Sequence, residues 1–453
     1  MNSHSILSEL NLFMKRNELS VSQLAKKLDF NVGTVSYILS GTRKLTIDQL
    51  DSITEVLGYP RGHFYTNYIR EYLDGNRSDW RRIRPLLLNC AELDQLDCIQ
   101  DVVNLLLDHL IYAGPLFDMA EELFQAGNYK AAEILYENVA DSERKQHSER
   151  LAMCQYRLFA IRMGSDQIQN LKFACQFEPF VDRLDEVQQL NAIKDLANLY
   201  RSLGHWDRVE EFARKMETKA RVLYFSERRS ESTARELQNK LNGPLFAYIA
   251  YPQLLYACVA EGRDDFDQAL YFTYQYADLS WVKETDESTL HWKKLYLEWA
   301  NANIYANKLL GGDISVLSDY VAYLERSPDE VFSGLVNILT VANRYNINID
   351  SVLSKFESDI KIFVPQTIDM FTGQVLVDHL VLFLYELALY YLRNRDFLNG
   401  FKNTIQGLEY SVKINKTDII IKYIGIFEEF RDEAPSEVHT IYKNLIKKVC
   451  AVL

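Results

Sequence analysis

Apolar residues recur at helical spacing in two short blocks between Ser20 and Leu45. Leu24, Ala25 and Leu28 form one stripe, and Val35, Ile38 and Leu39 form the next. Ser20 precedes the first block, with Gln23 three residues on, the pairing of a capping box. Asp29-Phe30 breaks the pattern, and Asn31 is a suitable N-cap for a second short helix. Gly41 stops that helix, and Arg43-Lys44 follow it. Leu50, Ile53 and Leu57 then give another helix its inner face, behind a Thr46/Gln49 capping box. From Leu86 to Leu453 the periodicity is helical throughout. The most apolar run, Val375–Leu392, contains Asp378, His379 and Glu386, so it is expected to be a buried helix and not a membrane span.

Composition agrees with long helices. Among 453 residues only 18 are glycine and 9 proline, too few for the frequent turns of short strands. That length is too great for one compact core, so two or more domains are expected. The formal net charge of −13 changes the picture once it is divided by segment. Residues 1–64 hold seven Lys/Arg and six Asp/Glu, a net of +1, which leaves −14 on the remainder. Solubility is one reading of that acidity, and a groove for a cationic ligand is the other. The six cysteines have no CxxC spacing and no accompanying histidine cluster, and the N-terminus has no signal pattern. They read as reduced, mostly buried thiols of a cytoplasmic protein.

The block QLAKKL, the short turn, TVSYILSGTRKL and TIDQLDSITEVLGYP resemble the Cro/XRE-type DNA-binding domain, over roughly Ile6 to Phe64. In a helix-turn-helix the second helix enters the major groove with its N-terminal residues against the bases. Gly33, Thr34, Ser36 and Tyr37 form the expected base-facing surface. Arg43 and Lys44 are expected at phosphates. Asn31 sits at the start of that helix, and Gln23 could serve either the cap or the DNA. The recognition face has few long side chains, so DNA shape and water are expected to contribute to readout. We place the domain at 1–64, a linker at 65–85 and a second domain at 86–453. In the linker Arg77, Arg81, Arg82 and Arg84 form a basic cluster, either solvated or in contact with phosphate.

The second domain carries weak repeats. In EELFQAGNYKAAEILYENV, Gly127, Tyr129, Ala132 and Tyr136 follow a G-x-Y-x-x-A-x-x-x-Y spacing. Further copies centre on Gly204 with Trp206 and Val209, on Gly262 with Phe266 and Ala269, and on Phe397 with Gly400. The pattern resembles the tetratricopeptide repeat, whose units stack into a superhelix with a concave binding face. The predicted fold is therefore all-α: an N-terminal helix-turn-helix bundle followed by a right-handed tetratricopeptide-like α-solenoid. Aligned on the turn glycines, the groove face includes Glu121, Asn198, Arg201 and Tyr256, and, on the next helix, Asn301, Asn303 and Tyr305. Asn198 lies among Leu196, Ala197, Leu199 and Tyr200, and its amide could pair with an extended peptide backbone.

This combination resembles the RRNPP group of peptide-pheromone receptors, most of all the arbitrium receptors of phages and their chromosomal relatives. The resemblance implies a homodimer closed by C-terminal helices, a double-stranded operator with two half-sites and a short signalling oligopeptide in the superhelix. It also implies that a groove asparagine holds the peptide, which maps to Asn198 and more weakly to Asn301 and Asn303. Arbitrium-type peptides tend to contain an arginine, which would suit the acidic domain and residues such as Glu121. Arg201 is the candidate for the peptide carboxylate. The apolar Ile421, Tyr423, Ile426, Ile441, Leu445 and Val449 could pack across a two-fold axis or seal the last repeat. No P-loop, dinucleotide, zincin or nucleophile-elbow motif occurs, so neither catalysis, nor a cofactor, nor a metal is expected. Two alternatives remain for the repeats: they bind a protein segment, or they only dimerise a constitutive regulator.

Overall fold

The computed structural model describes residues 5–73, 79–106, 110–144, 148–225, 241–362 and 370–452. It is all-α, with no strand among the described residues. The chain divides into two compact units, Met1–Ile161 and Arg162–Leu453.

The first unit opens with α1 (Ile6–Arg16), α2 (Val21–Leu28), α3 (Val32–Leu39) and α4 (Ile47–Val56). Each start is fixed locally. Ser20 and Gln23 form a capping box on α2, Asn31 caps α3, and Thr46 and Gln49 form a second box on α4. Leu24, Leu28, Val35, Ile38, Leu50 and Ile53 meet in a core that excludes water. Gly41 follows α3 in the left-handed region at φ +69°, a conformation that favours glycine.

Next come α5 (Tyr65–Tyr72), α6 (Trp80–Glu92) and α7 (Leu96–Leu106). Residues 65–85, expected as a linker, are helix along most of their length. The ring of Tyr65 is fully buried and its hydroxyl donates to Asp51 at 2.9 Å; Tyr68 donates to the Leu45 carbonyl at 2.8 Å. Arg82 reaches that same carbonyl, and Arg84 pairs with Glu122. Arg81 is exposed, and Arg77 lies outside the described residues. The unit continues through α8 (Ala113–Gln125), α9 (Tyr129–Ser142) and α10 (Glu149–Arg162).

The second unit runs from α11 (Gln167–Phe177) through α12 (Glu186–Ser202), α13 (Trp206–Tyr224), α14 (Ala247–Gly262), α15 (Phe266–Ala277) and α16 (Glu287–Leu310). It continues with α17 (Leu317–Leu324), α18 (Val331–Tyr345), α19 (Asp350–Lys355) and α20 (Glu357–Ile362). The last four are α21 (Met370–Arg393), α22 (Phe397–Lys413), α23 (Thr417–Glu429) and α24 (Ser436–Val452). From α12 to α16 each helix packs on the next in chain order. Consecutive packing of this kind lets each helix bury its apolar face on a neighbour.

Two turn glycines that align in the sequence do different work. Gly204 adopts φ +70° with open space around the position of a Cβ. At the next hairpin the left-handed residue is Asp264, and Gly262 is still helical. A Cβ on Gly262 would lie 2.2 Å from the Trp206 ring, so this glycine serves close packing.

The first and last parts of the second unit touch. The Gln167 amide donates to the Ile414 carbonyl at 3.0 Å, Asn415 to Asp166 at 2.6 Å and Lys416 to the Ser202 carbonyl at 3.2 Å. At the C-terminus Tyr423, Ile426, Leu445 and Val449 are buried within the unit's own core, which removes them from a two-fold surface. Ile421 and Ile441 remain 63% and 47% exposed. Among the described residues no helix is long and apolar enough to cross a membrane.

Candidate functional sites

The helix-turn-helix presents a surface set by which residues its core consumes. Val35 and Ile38 point inward, which turns Val32, Gly33, Ser36 and Tyr37 out. Tyr37 is 60% exposed and Val32 48%. Thr34, expected on this face, is only 8% exposed, because it sits next to Val35 on the inner side. Its backbone amide donates to Asn31 Oδ1 at 2.6 Å, so the Asn31 side chain is occupied as a cap. Gln23 is likewise occupied, accepting from the Ser20 amide at 2.8 Å. Arg43 is exposed. Lys44 is exposed too, and its ammonium donates to the Tyr72 carbonyl at 3.1 Å. Val32 was missed in the sequence, although an apolar residue outside the Val35/Ile38 stripe was its signal.

The residues expected to line one groove are divided between the two units. Glu121 belongs to the first unit. It pairs with Arg157 at 2.8 Å and accepts from Tyr136 at 2.6 Å. Burial opposes its charge, yet the Arg157 guanidinium holds the carboxyl below its ordinary range. An acidic group so committed is not open to an arginine-bearing ligand. In the second unit Tyr256 faces α13, where its hydroxyl donates to Glu217 at 3.3 Å. Tyr305 stacks on Tyr320 at 5.7 Å. Asn303 donates to the Tyr276 hydroxyl at 2.8 Å, and Asn301 is exposed.

Asn198 has a different setting. It lines a cavity of about 180 Å³ walled by Tyr248, Tyr251, Trp292, Tyr296 and Trp299, with Lys194 and Asn242 at its polar side. Three helices supply these groups through simple spacing. Lys194 and Asn198 are one turn apart on α12, Tyr248 and Tyr251 one turn apart on α14, and Trp292, Tyr296 and Trp299 follow one stripe of α16. Tyr251 donates its hydroxyl to Asn198 Oδ1, and Tyr248 donates to Asn191 Oδ1. Gly243 closes the wall: a Cβ there would lie 2.9 Å from the Trp292 ring. All five aromatic walls lie on α14 and α16, the helices expected to line the groove through Tyr256, Asn301, Asn303 and Tyr305, but only Trp299 stood out in the sequence as a groove residue. The other four were hidden because they become neighbours only when three helices stack.

Arg201 lies one turn beyond Asn198 on α12. Its neighbours are Tyr251, Cys258 and Glu261. Burial pushes the Cys258 thiol up to about 11 and raises the Glu261 carboxyl above its ordinary range. Among the described residues no carboxylate lies within ion-pair distance of Arg201. Lys194 approaches the Tyr248 ring at 5.9 Å. The cleft therefore offers aromatic walls, two amides and one cation, Lys194, with Arg201 one turn beyond Asn198, a set suited to an apolar group next to a carboxylate. Among the described residues no cluster of His, Cys, Asp and Glu has the makings of a metal site.

Set against known protein families, residues 12–64 match the helix-turn-helix family. No curated protein matches the chain. The match and the exposed α3 face point to a DNA-binding transcription regulator.

Proposed function

We propose that the protein is a transcription regulator whose operator affinity is set by a short oligopeptide bound at the Asn198 cleft. The observation that carries the reading is the convergence of α12, α14 and α16 on that cleft, with an amide among aromatic walls and Lys194 beside it. Small solenoid binding sites of this kind hold an extended chain by backbone hydrogen bonds and a side chain by an apolar pocket. Lys194 and Arg201 favour an acidic group, such as the peptide carboxylate. On the DNA side, Val32, Gly33, Ser36 and Tyr37 meet base edges, where Val32 suits a thymine methyl. Arg43 and Lys44 meet phosphates.

Coupling runs through α12. The same helix lines the cleft, packs on α21 and accepts the Lys416 hydrogen bond through Ser202. A ligand that binds α12, α14 and α16 together favours one arrangement of the unit over others. It shifts operator affinity only by its differential affinity for those arrangements. A homodimer, with Ile421 and Ile441 as the exposed apolar contacts, would present two DNA-binding units to two half-sites.

The test uses an operator selected from random DNA with the full-length protein, and a library of short synthetic peptides. Enriched peptides are titrated by calorimetry, with operator affinity measured alongside. Asn198→Ala is expected to weaken peptide binding by about 1–3 kcal/mol, with operator affinity in the absence of peptide unchanged. If no peptide changes operator affinity, the sensor reading falls and the repeats become a scaffold for a constitutive regulator.

A further inference from the structure

The Asn198 cleft is furnished for one kind of group. Its volume is about 180 Å³, and an apolar cavity of roughly 150 Å³ is enough to hold benzene. There is room for one ring and not for two. Three of the walls are tyrosines whose hydroxyls are committed within the protein. Tyr248 donates to Asn191, Tyr251 to Asn198, and Tyr296 to the Ala247 carbonyl at 3.0 Å. These walls therefore offer a guest ring surface and not hydroxyls. Tyr296 stands edge-to-face with Trp299, centroids 5.2 Å apart, and tilted to Trp292 at 6.2 Å. A further ring joins such a set in the same edge-to-face or offset manner, at spacings of about 4.5–7 Å. Lys194, Asn198, Tyr251, Trp292 and Trp299 are half-buried, so the cleft is reachable from solvent.

The polar side of the cleft carries one charge. Lys194 makes no ion pair among the described residues, and its ammonium stands 5.9 Å from the centre of the Tyr248 ring. Asp195, the next residue on α12, does not line the cavity, and neither does Arg201. A cationic guest meets an ammonium already placed against the aromatic wall, whereas a carboxylate gains a charged partner. We propose that the cleft holds the C-terminal residue of a peptide, an aromatic one of phenyl size, with its ring among the tyrosines and tryptophans and its carboxylate on Lys194. This assignment rests on the reading of the cleft as a peptide site, and it names the end of the peptide that enters. Asn198 then faces the last peptide unit. An arginine side chain, which the acidity of the whole domain would suit, is disfavoured at this cleft by Lys194.

The test titrates the full-length protein with N-acetylphenylalanine, its C-terminal amide, N-acetylalanine, N-acetylarginine and free phenylalanine, followed by ligand-observed NMR. N-acetylphenylalanine is expected to bind tightest, about tenfold tighter than N-acetylalanine because the ring adds buried apolar surface. Its advantage over the amide is expected to be about three- to tenfold, since Lys194 is partly exposed and solvent weakens its pairing. Lys194→Met should abolish the preference for carboxylate over amide and keep that for phenyl over methyl. Trp292→Leu should do the reverse. Where either variant unfolds, Lys194→Gln and Trp299→Leu replace them. N-acetylarginine binding tighter than N-acetylphenylalanine would overturn the proposal and make the cleft a cation cage. Free phenylalanine binding tighter would overturn it in favour of an amino-acid site, and preferences unchanged in both variants would place the ligand elsewhere. Operator affinity judges the sensor reading separately. Peptides that shift it equally well with an amidated C-terminus would overturn this assignment and leave that reading standing. If N-acetylphenylalanine shows both variant signatures while no peptide shifts operator affinity, the cleft's ligand chemistry stands and the sensor reading falls.

Discussion

The DNA-binding helices and the Asn198 cleft use polar side chains in opposite ways. In the first, polar residues bond within one turn: Ser20 with Gln23, Asn31 with Thr34, Thr46 with Gln49. These bonds fix helix ends and leave the outer face of α3 free of internal work. In the cleft, polar residues bond across helices: Tyr251 with Asn198, Tyr248 with Asn191, Asn303 with Tyr276. Such a surface is already partly satisfied by itself. A ligand must exchange those bonds, so it meets a site that can respond, whereas DNA meets a face that is ready-made. The difference also implies an order of energies, because a cross-helix bond in a low-dielectric setting is costlier to break than an exposed cap.

The largest effect should come from the partly buried ion pair between α8 and α10. Arg157→Ala leaves Glu121 without its guanidinium and should cost about 2–4 kcal/mol, at the lower part of the range for buried pairs, since both side chains keep some solvent exposure. The pH dependence gives a second reading. In the parent the lowered Glu121 carboxyl contributes stability above its ordinary value of 4.5, and that contribution is lost as pH falls below it. In the variant burial is opposed only by the smaller effect of the Tyr136 hydrogen bond, which raises the carboxyl relative to the parent, so the deficit should shrink as the solution is acidified. Urea denaturation of parent and variant at neutral and acid pH checks both. A deficit that grows on acidification would mean that Glu121 is not held as an anion.

Second is the pair of glycines that look equivalent in sequence. Gly262→Ala drives a methyl into the Trp206 ring and should cost about 1–3 kcal/mol by overpacking. Gly204→Ala meets no neighbour and carries only the left-handed backbone strain, about 1 kcal/mol. The two are separable by context: trimming Trp206 to Leu should rescue Gly262→Ala and leave Gly204→Ala unchanged. Equal costs without rescue would mean that the two turns are alike after all.

These cases show what the sequence could and could not convey. The starts of α2, α3 and α4 were readable, because a cap involves residues three apart and needs no knowledge of the fold, whereas the Ser5 cap of α1 was not picked out. The all-helical character of the rest was readable as periodicity, and Asn198 stood out as an amide in an apolar run. Pairings between helices were not readable. Nothing near Glu121 announces Arg157, 36 residues on, and nothing near Asn198 announces Tyr251. Tyr256 failed by rotation alone. Cys258 and Tyr251 share the side of α14 toward Arg201 and Asn198, while Tyr256 and Gln253 turn to Glu217 on α13. Thr34 failed in the same way by one position, since a short helix with Val35 and Ile38 inward has room for one more residue on that side.

A smaller effect is expected at the cap of the recognition helix. Asn31→Ala removes the acceptor for the Thr34 amide and should cost about 1 kcal/mol. Because that cap orients the first turn of α3, operator affinity should fall more than non-specific affinity. Asn31→Ser, which restores an acceptor, should recover both. For Arg43→Ala with Lys44→Ala the expectation is opposite: affinity falls alike for all sequences, and the salt slope drops by about one for each phosphate no longer neutralised. An unchanged slope would remove both residues from the DNA interface.

The smallest expected change in stability, and the most informative for the cleft, is Tyr251→Phe. The ring stays, so the aromatic wall keeps its packing, and only the hydroxyl bond to Asn198 disappears. Burial pushes the Tyr251 phenol up, so it remains a neutral donor across the working pH range and the loss should not depend on pH. Net hydrogen bonds of this type contribute about 0.5–1.5 kcal/mol, and the partial exposure of Asn198 places this one at the lower end. Asn198 Oδ1 can then accept from water in the free protein or from a ligand amide in the complex. If the cleft exchanges internal bonds for ligand bonds, Tyr251→Phe should bind peptide several-fold more tightly than the parent, because one exchange has been removed beforehand. Asn198→Ala should bind more weakly, and the double variant should resemble Asn198→Ala. Calorimetry on the four proteins closes that cycle. Equal affinities for the parent and Tyr251→Phe would place the ligand on the Nδ2 side of Asn198, away from the Tyr251 bond, and the contrast with the ready-made DNA face would disappear.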